Sequence, residues 1–149
     1  MEIIEYHSDY LFELAKIYSQ VFSAPPWNED WTETEAVERL SHIASMNDGI
    51  GLIAILDGEV AGALLGFVYP YKGSKTCEIR ELFVSNASSG NGIGKQLMAQ
   101  LHLICTQGKI AKISLRTWKE SSAFGFYEKC GFSTNESVVF LSKAIDCGK

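Results

Sequence analysis

Three strand-like segments follow one another in the middle of this chain of 149 residues. They run from Gly51 to Leu56, from Val60 to Val68 and from Thr76 to Val84, with a hairpin turn at Asp57-Gly58 and a loop from Tyr69 to Lys75. Doubly wound nucleotide-binding folds alternate strand and helix, so this meander excludes them. The pattern predicts a mixed sheet with helices on both of its faces.

Segments with helical periodicity lie on both sides of this meander. The predicted helices are Asp9 to about Phe22, a helix opened by the capping box Thr32-Glu33-Thr34-Glu35 and ending near Ser45, about Gly92 to Gln107, and Ser121 or Ser122 to Lys129. The other predicted strands are Ile3 to Tyr6, Ile113 to Thr117, and a closing hairpin of Phe132 to Thr134 and Val138 to Ser142 around Asn135-Glu136. The predicted order is β-α-α-β-β-β-α-β-α-β-β, with about seven strands and about four helices in one domain of residues 1–149.

The third strand of the meander is followed by the glycine-rich run Ser89-Gly90-Asn91-Gly92-Ile93-Gly94-Lys95, which opens a predicted helix. Glycines permit a tight turn, and the N–H groups in the first turn of a helix bind phosphate at the positive end of the helix dipole. A Walker P-loop would need Gly at Ser89 and Ser or Thr at Gln96, and a dinucleotide fingerprint would need Gly at Lys95. The run is therefore either a phosphate site of another kind or a simple turn between strand and helix.

Acidic residues are concentrated in the first third of the chain. Residues 1–48 hold ten acids and two bases, whereas residues 49–149 hold eight acids and eleven bases. The acidic part disfavours nucleic acid and favours a cationic partner, while the more basic remainder suits an anionic ligand. Alternatively, Glu29, Asp30, Glu33, Glu35 and Glu38 form only a solvated helix face.

The sequence shows no metal-site spacing and no targeting segment. Cys77, Cys105, Cys130 and Cys147 form no C-x-x-C pair, and the three histidines lie far apart, so no metal is expected. Core thiols of this kind are typical of a reducing compartment, and neither a secretory signal nor an apolar stretch long enough to span a membrane is visible. These features predict a cytoplasmic protein with no membrane attachment.

Two separated segments carry a recognisable pattern. The first is Glu81-Leu82-Phe83-Val84 followed by Ser89 to Gly94, and the second is Ala123-Phe124-Gly125-Phe126-Tyr127-Glu128-Lys129-Cys130-Gly131-Phe132. The first resembles the pyrophosphate motif Arg/Gln-x-x-Gly-x-Gly/Ala of the GNAT superfamily of acetyl-CoA-dependent N-acetyltransferases, and the second resembles that family's A-x-x-F-Y-x-K-x-G-F segment. The element order matches the family over nearly the whole chain. The resemblance implies a mostly antiparallel central sheet flanked by helices, in a single N-acetyltransferase domain.

The resemblance also implies roles for particular residues. Tyr127 would protonate the departing thiolate, and Leu82, Phe83 and Val84 would pair with the pantetheine arm in a wedge between two parallel strands. The pyrophosphate of acetyl-CoA would be bound by the glycine-rich run, chiefly through backbone N–H groups: Ser89, Gly90, Asn91, Gly92, Ile93, Gly94 and Lys95. Ser89 stands where the family usually has Arg or Gln, and Glu120 stands where it often has an Asn that contacts the pantetheine arm. Each departure removes an expected side-chain contact.

A general base is expected on the strand that lies beside the thioester. An amine with a pKa of about 10 must lose a proton before it attacks, and a carboxylate can accept that proton. Glu78 matches the position of the base in some family members, whereas Glu81 lies closer to the loop, and the two rank nearly equal. Simple alternation places them on opposite faces of the strand, so only one would meet the acceptor. A surface carboxylate, or a partner for Arg80, is the other interpretation of each.

The sequence therefore predicts an enzyme that moves an acetyl group from acetyl-CoA to a primary amine by direct attack in a ternary complex. The acceptor is expected to be cationic: a small amine, a polyamine, an aminoglycoside-like compound or a protein lysine. Trp27, Glu29 and Trp31 are expected to line its site, although both tryptophans could instead pack against the helices. A non-catalytic CoA-binding sensor or interaction module with the same fold is the alternative function. A homodimer is also expected.

Overall fold

Five strands form one sheet in residues 1–148, the part of the chain that the computed structural model describes. In chain order they are β1 (Glu2–Glu5), β2 (Gly49–Leu56), β3 (Glu59–Tyr71), β4 (Ser74–Val84) and β5 (Lys112–Ser114). The first four pair antiparallel with their neighbours, and β5 pairs parallel with β4. The predicted mixed, mostly antiparallel sheet is confirmed, with five strands in these residues where about seven were expected.

Two-residue turns connect the three central strands. Asp57 and Gly58 have φ angles of 52° and 80°, and Lys72 and Gly73 have φ angles of 49° and 79°. Two successive residues with positive φ are typical of the hairpin turn whose twist matches that of the flanking strands. The predicted loop from Tyr69 to Lys75 is therefore wrong, because the Lys72-Gly73 turn lets the strands continue almost to the bend.

Helices cover both faces of the sheet. The helices α1 (Leu11–Ser23) and α2 (Glu33–Ala44) pack against the strands on one face. The helix α3 (Ile93–Gln107) lies on the other face, where it contacts β2, β3 and β4. The core beneath α1 and α2 includes Leu14, Leu40, Ile43, Ile53, Leu65 and Phe83. Leu52 and Leu64 point to the opposite face, because successive strand residues alternate, and α3 buries Leu97 and Leu101. None of the helices in residues 1–148 is both long and apolar enough to cross a membrane.

The sequence predicts the start of α2 correctly but places the start of α1 too early. At α2 the predicted capping box is confirmed: the Thr32 hydroxyl accepts from the Glu35 N–H at 3.1 Å, and the Glu35 carboxylate accepts from the Thr32 N–H at 2.9 Å. The segment Ser8–Tyr10 is instead a 3₁₀ turn. His7 Nδ1 caps it by accepting from the Asp9 N–H at 3.1 Å, so the helix itself begins later than expected, at Leu11.

The residues from Trp118 onward form a second compact unit. It contains α4 (Ser122–Lys129), which ends near Gly131 with a φ of 97°, as the sequence predicts. The predicted hairpin after it is wrong, since the described residues beyond α4 contain no strand. The turn itself forms: the Ser137 and Val138 N–H groups donate to Asn135, at 3.1 Å to its side chain and 3.3 Å to its carbonyl. Asn135 closes this bend locally, without a ladder between the flanking segments.

Candidate active site

β4 carries a β-bulge that changes which of its side chains share a face. In the antiparallel ladder with β3, Leu65 pairs with Glu81, whereas the next residue, Gly66, pairs with Ile79. Arg80 is therefore an extra residue that has no counterpart on β3. Such an insertion interrupts the alternation of side chains along the bulged strand.

The bulge brings both candidate bases to one face of the sheet. Glu81 lies opposite Leu65 and Glu78 lies opposite Phe67, and directly opposed residues of an antiparallel pair point to the same face. Leu65 and Phe67 are two residues apart, so they also share a face. The prediction that Glu78 and Glu81 lie on opposite faces is wrong, because simple alternation does not include the inserted Arg80. Leu65 belongs to the core under α1 and α2, which identifies the face.

Glu81 is buried and is held by side chains from both helices on this face. Its Oε1 accepts from the Tyr18 hydroxyl at 3.0 Å and from Arg39 Nε at 2.6 Å. Its side chain is 9% exposed, and that of Arg39 is 37% exposed. Burial raises the pKa of Glu81 above the ordinary value for glutamate, and the charge of Arg39 and the hydrogen bonds from Arg39 and Tyr18 offset this only in part. The pKa of Tyr18 is raised as well, first by burial and then by the neighbouring Glu81 charge.

Glu78 has a different environment on the same face. Its side chain is 19% exposed, and its Oε2 lies 3.7 Å from Arg80 Nη1. The contact with Arg80, which the sequence offered as the alternative to a role as base, is therefore present. A carboxylate that retains some exposure can both meet a substrate and exchange a proton with water.

The glycine-rich run forms a loop between β4 and α3. Asn86–Ser88 is a 3₁₀ turn, and Gly90 and Gly92 have φ angles of 83° and 70°. Gly92 is the N-cap of α3, and no side chain of residues 1–148 caps that end of the helix. The N–H groups in the first turn of a helix lack intrahelical acceptors, so they remain directed at whatever lies before the helix.

Two side chains of the loop bond within the loop. The Ser89 hydroxyl donates to the Asn86 carbonyl at 3.1 Å, and Asn91 Nδ2 donates to the Ser88 carbonyl at 2.9 Å. These bonds hold the backbone bend that precedes α3. This geometry suits an anion such as a phosphate group, since a left-handed glycine at the N-cap leaves the backbone open to close approach.

The edge of β4 next to this loop extends beyond its partner β5. The parallel ladder joins Thr76, Cys77 and Glu78 to Lys112, Ile113 and Ser114, and no pair beyond Glu78 is found in the first unit. The predicted strand from Ile113 to Thr117 therefore ends early, at Ser114. Leu82 and Val84 are half-buried and Phe83 is buried on the part of β4 that extends beyond β5, where it remains paired with β3. In the first unit, the edge of β4 that faces away from β3 therefore has no strand partner at the end nearest the glycine-rich loop, where the wedge is predicted.

An acidic cleft is lined by residues of α2 and of the segment that precedes it. It has a volume of about 600 Å³ and is lined by Glu29, Asp30, Trp31, Glu35, Glu38, Arg39 and His42. Trp31 Nε1 donates to Glu29 Oε1 at 3.2 Å, and its ring packs edge-on against Tyr18 at 5.0 Å. Trp27 packs against the ring of Phe22 at 5.5 Å and is not among the lining residues. Two of the three predicted acceptor-site residues thus line one cleft.

Arg39 and Tyr18 are the site residues that the sequence analysis missed. Arg39 lines the acidic cleft and bonds Glu81, so it connects α2 with β4. A signal was present in the sequence, because Arg39 is the only base between Lys16 and Lys72. A lone cation in an acidic stretch points to a specific carboxylate partner, although the sequence does not say which.

Two further predicted site residues belong to the second unit. Tyr127 is half-buried on α4, with its ring 5.2 Å from that of Phe126 and 5.7 Å from that of Phe132. The Phe132 N–H donates to the Tyr127 carbonyl at 3.1 Å, which fixes the chain just after the helix. Glu120 is exposed in the turn before α4. Their roles stay predictions.

The remaining candidates for chemistry in residues 1–148 are metal-ligating side chains and cysteines. No group of three or more His, Cys, Asp or Glu side chains there is arranged to hold a metal ion. Cys77 and Cys105 are buried, and burial, followed by the neighbouring Cys105, raises the pKa of Cys77 to about 12. A thiol with a pKa this high is a poor nucleophile at neutral pH.

Comparisons with known proteins agree with this fold. The model of the acetyltransferase (GNAT) family matches residues 11–132. No curated protein sequence matches the chain. A solved structure of a possible acetyltransferase from Clostridium difficile 630 is 16% identical, with a TM-score of 0.83, and the similarity covers 97% of each chain.

Two other solved structures carry more specific names. An aminoglycoside antibiotic 6'-N-acetyltransferase from Acinetobacter haemolyticus is 17% identical, with a TM-score of 0.75 over 98% of this chain and 100% of that one. A ribosomal-protein-alanine N-acetyltransferase from Brucella melitensis is 15% identical, with a TM-score of 0.77 over 97% of this chain and 100% of that one. At these identities the likeness shows the fold.

Proposed function

Because the chain belongs to the GNAT acetyltransferase family, we propose that it transfers an acetyl group from acetyl-CoA to a primary amine of a cationic acceptor. The family match spans both compact units, which supports one acetyltransferase domain over the whole chain. The observation that carries the proposal is the glycine-capped N-terminus of α3, next to the part of β4 that extends beyond β5. A cytoplasmic location and a homodimer remain predictions.

The proposed cosubstrate site is built mainly from backbone. Acetyl-CoA supplies an acetyl thioester when it is bound. The N–H groups of Asn91, Gly92, Ile93, Gly94 and Lys95 would hold its pyrophosphate, with Ser89 and Gly90 shaping the bend. The main chain of Leu82, Phe83 and Val84 would pair with the pantetheine arm as an added strand does. Ser89 stands at the position of the family's usual Arg or Gln, but its hydroxyl already donates to the Asn86 carbonyl. Its proposed contribution is therefore to hold the shape of the loop.

The acidic cleft is the proposed acceptor site. Its four carboxylates, those of Glu29, Asp30, Glu35 and Glu38, attract a cation, and Trp31 offers an indole beside them. Aminoglycosides carry several ammonium groups, and the name of one similar protein specifies such an acceptor. Neutralising the carboxylates together should raise the acceptor KM, and an unchanged KM would place the acceptor elsewhere.

The proton chemistry needs a base and an acid. Glu78 and Glu81 are the candidate bases, and their common face supports a role for either, since α1 and α2 pack on that same face. Tyr127 is the candidate acid, because a neutral phenol can donate to a departing thiolate at neutral pH. Tyr127→Phe should lower kcat and leave acetyl-CoA binding intact.

The test of the cosubstrate site is calorimetric titration with acetyl-CoA, with ATP and NAD as control ligands. Gly92→Ala places a methyl group where the pyrophosphate is expected, and we expect at least about a tenfold loss of affinity, or about 1.4 kcal/mol. Gly58→Ala is the matched control, because Gly58 also has a positive φ and open space around its Cβ position, but lies in the β2–β3 turn.

Both variants should lose about 1–2 kcal/mol of stability from backbone strain, and only Gly92→Ala should lose affinity. Equal affinity for the two would contradict the proposed pyrophosphate site. Tight binding of acetyl-CoA without transfer to spermidine, sisomicin or a lysine peptide would instead favour the non-catalytic sensor.

A further inference from the structure

Glu81 is held through one oxygen by residues from two different helices. The Tyr18 hydroxyl of α1 and the Arg39 Nε of α2 both donate to Oε1, at 3.0 Å and 2.6 Å. Two donors on one oxygen fix the orientation of a carboxylate more tightly than one donor does. The other oxygen, Oε2, is therefore presented in a defined direction.

Oε2 of Glu81 keeps contact with solvent. Within residues 1–148, every buried side-chain nitrogen or oxygen has a hydrogen-bond partner. The hydrogen bonds made by the Glu81 carboxylate both end on Oε1. A carboxylate oxygen without such a partner is consequently not sealed in the core, even though the whole side chain is 9% exposed.

The same arginine that bonds Oε1 also lines the acidic cleft. Arg39 is thus shared by the carboxylate and by the site at which a cationic acceptor is expected. A purely structural ion pair needs neither an accessible second oxygen nor a shared wall with a cleft. Neither Glu78 nor Glu81 is itself among the lining residues. Glu81 is connected to the wall of the cleft through Arg39, whereas Glu78 lies 3.7 Å from Arg80, which does not line the cleft.

We propose that Arg39 and Tyr18 are positioning residues that hold Oε1 of Glu81 and leave Oε2 to accept the proton of the acceptor ammonium. This rests on the proposed acetyl transfer. In the step, an N–H bond of the ammonium breaks, an O–H bond forms on Oε2, and the nitrogen keeps the electron pair with which it attacks. Glu81 becomes a neutral carboxylic acid, which then releases the proton to water.

The test measures kcat and KM against pH, with spermidine, sisomicin and a lysine peptide as probes. Glu81→Gln should lower kcat by about 100-fold, the lower end of general-base contributions. Arg39→Gln and Tyr18→Phe each remove a donor to the carboxylate, which raises its pKa. The acidic limb of the kcat/KM profile should therefore move to higher pH in both variants, so that activity partly recovers as the pH rises.

The acceptor KM separates positioning from binding. Arg39→Gln removes a cation from an acidic cleft, so the KM should stay equal or fall while kcat falls by about tenfold. Arg39→Lys should restore part of kcat. Glu38→Gln, one position away on α2, is the matched control, and it should raise the KM without moving the acidic limb. Calorimetry with acetyl-CoA checks that each variant is folded, and Tyr18→Phe, which loses one hydroxyl, remains informative if an Arg39 variant does not fold.

Three outcomes are distinguishable. A shifted acidic limb in both positioning variants, with the KM unchanged or lower in Arg39→Gln, supports the inference. An unshifted limb in both, or loss of the limb in Glu78→Gln but not in Glu81→Gln, overturns it and leaves the proposed acetyl transfer standing. Absence of transfer by the unaltered protein to all three probes overturns the proposed function, and the inference with it.

Discussion

Gly66 lies opposite the bulge of β4, at a position that leaves no room for a methyl group. A Cβ on Gly66 would collide with the carbonyl oxygen of Glu78 and would lie 3.2 Å from Cα of Ile79. These are backbone atoms, so they cannot rotate away as a side chain can. We expect Gly66→Ala to destabilise the protein by about 2 kcal/mol, within the range of about 1–3 kcal/mol typical of overpacking.

The measurement is urea denaturation followed by circular dichroism, with the unfolding free energy taken from the midpoint and slope. A loss of about 2 kcal/mol corresponds to a fall in Tm of about 4–8 °C for a chain of this size. The same substitution should also lower kcat, because it displaces the Glu78 backbone from β3. The affinity for acetyl-CoA should change little, because Gly66 pairs with Ile79, whereas the glycine-rich loop begins only after the end of β4 at Val84.

Gly125→Ala is the matched control. Gly125 lies inside α4, and a Cβ there meets nothing within 4 Å. Alanine is the better helix former, so this variant should gain about 0.5–1 kcal/mol. If Gly66→Ala unfolds within about 0.5 kcal/mol of the unaltered protein, the ordinary range for harmless surface substitutions, the close approach of β3 to β4 does not fix the bulge and this reasoning is wrong.

Three further predictions concern other parts of the molecule. Thr32→Ala removes the capping box of α2 and should cost about 1 kcal/mol in urea denaturation; no loss would mean that the cap contributes nothing. Burial raises the pKa of Glu81 in the folded state, so folding is penalised increasingly as the pH rises from 4.5 through the folded pKa. The unfolding free energy of Glu81→Gln minus that of the unaltered protein should therefore increase as the pH rises across that window. A difference that does not change with pH would contradict the raised pKa. Iodoacetamide at pH 8 should label the exposed Cys147 and spare the buried Cys77 in the native protein, as mass spectrometry of the digested protein would show.

Local signals in the sequence were sufficient for most of the first unit. The capping box at Thr32 sets the start of α2, and Asp57-Gly58 sets a hairpin, because each depends on residues a few positions apart. The Lys72-Gly73 turn was missed because lysine is not a typical residue at positive φ, so the segment read as a loop. The hairpin predicted around Asn135 is absent from the described residues, since alternation of apolar residues alone does not supply a pairing partner for a strand.

The candidate site was harder to predict from the sequence than the fold, because its main side-chain contacts join residues that are far apart in the chain. Tyr18 is 63 positions from Glu81, and Arg39 is 42 positions from it. Sequence periodicity can place Tyr18 on the inner face of α1, but it does not identify which strand residue it meets. The form of the glycine-rich loop was predictable because it depends on local features: two left-handed glycines, one helix N-terminus and a strand before them.

The bulge explains why two carboxylates three positions apart on a strand can serve one site. Without Arg80 as an inserted residue, Glu78 and Glu81 would point to opposite faces, and one of them would lie on the face covered by α3. The insertion is accommodated by Gly66 on the neighbouring strand, so no pattern within β4 itself could reveal it. One strand thus presents both carboxylates toward α1 and α2, while its free edge continues to the glycine-rich loop. A base and an acyl donor have to meet at the same strand for the proposed reaction, and this combination of bulge and free edge is what permits it.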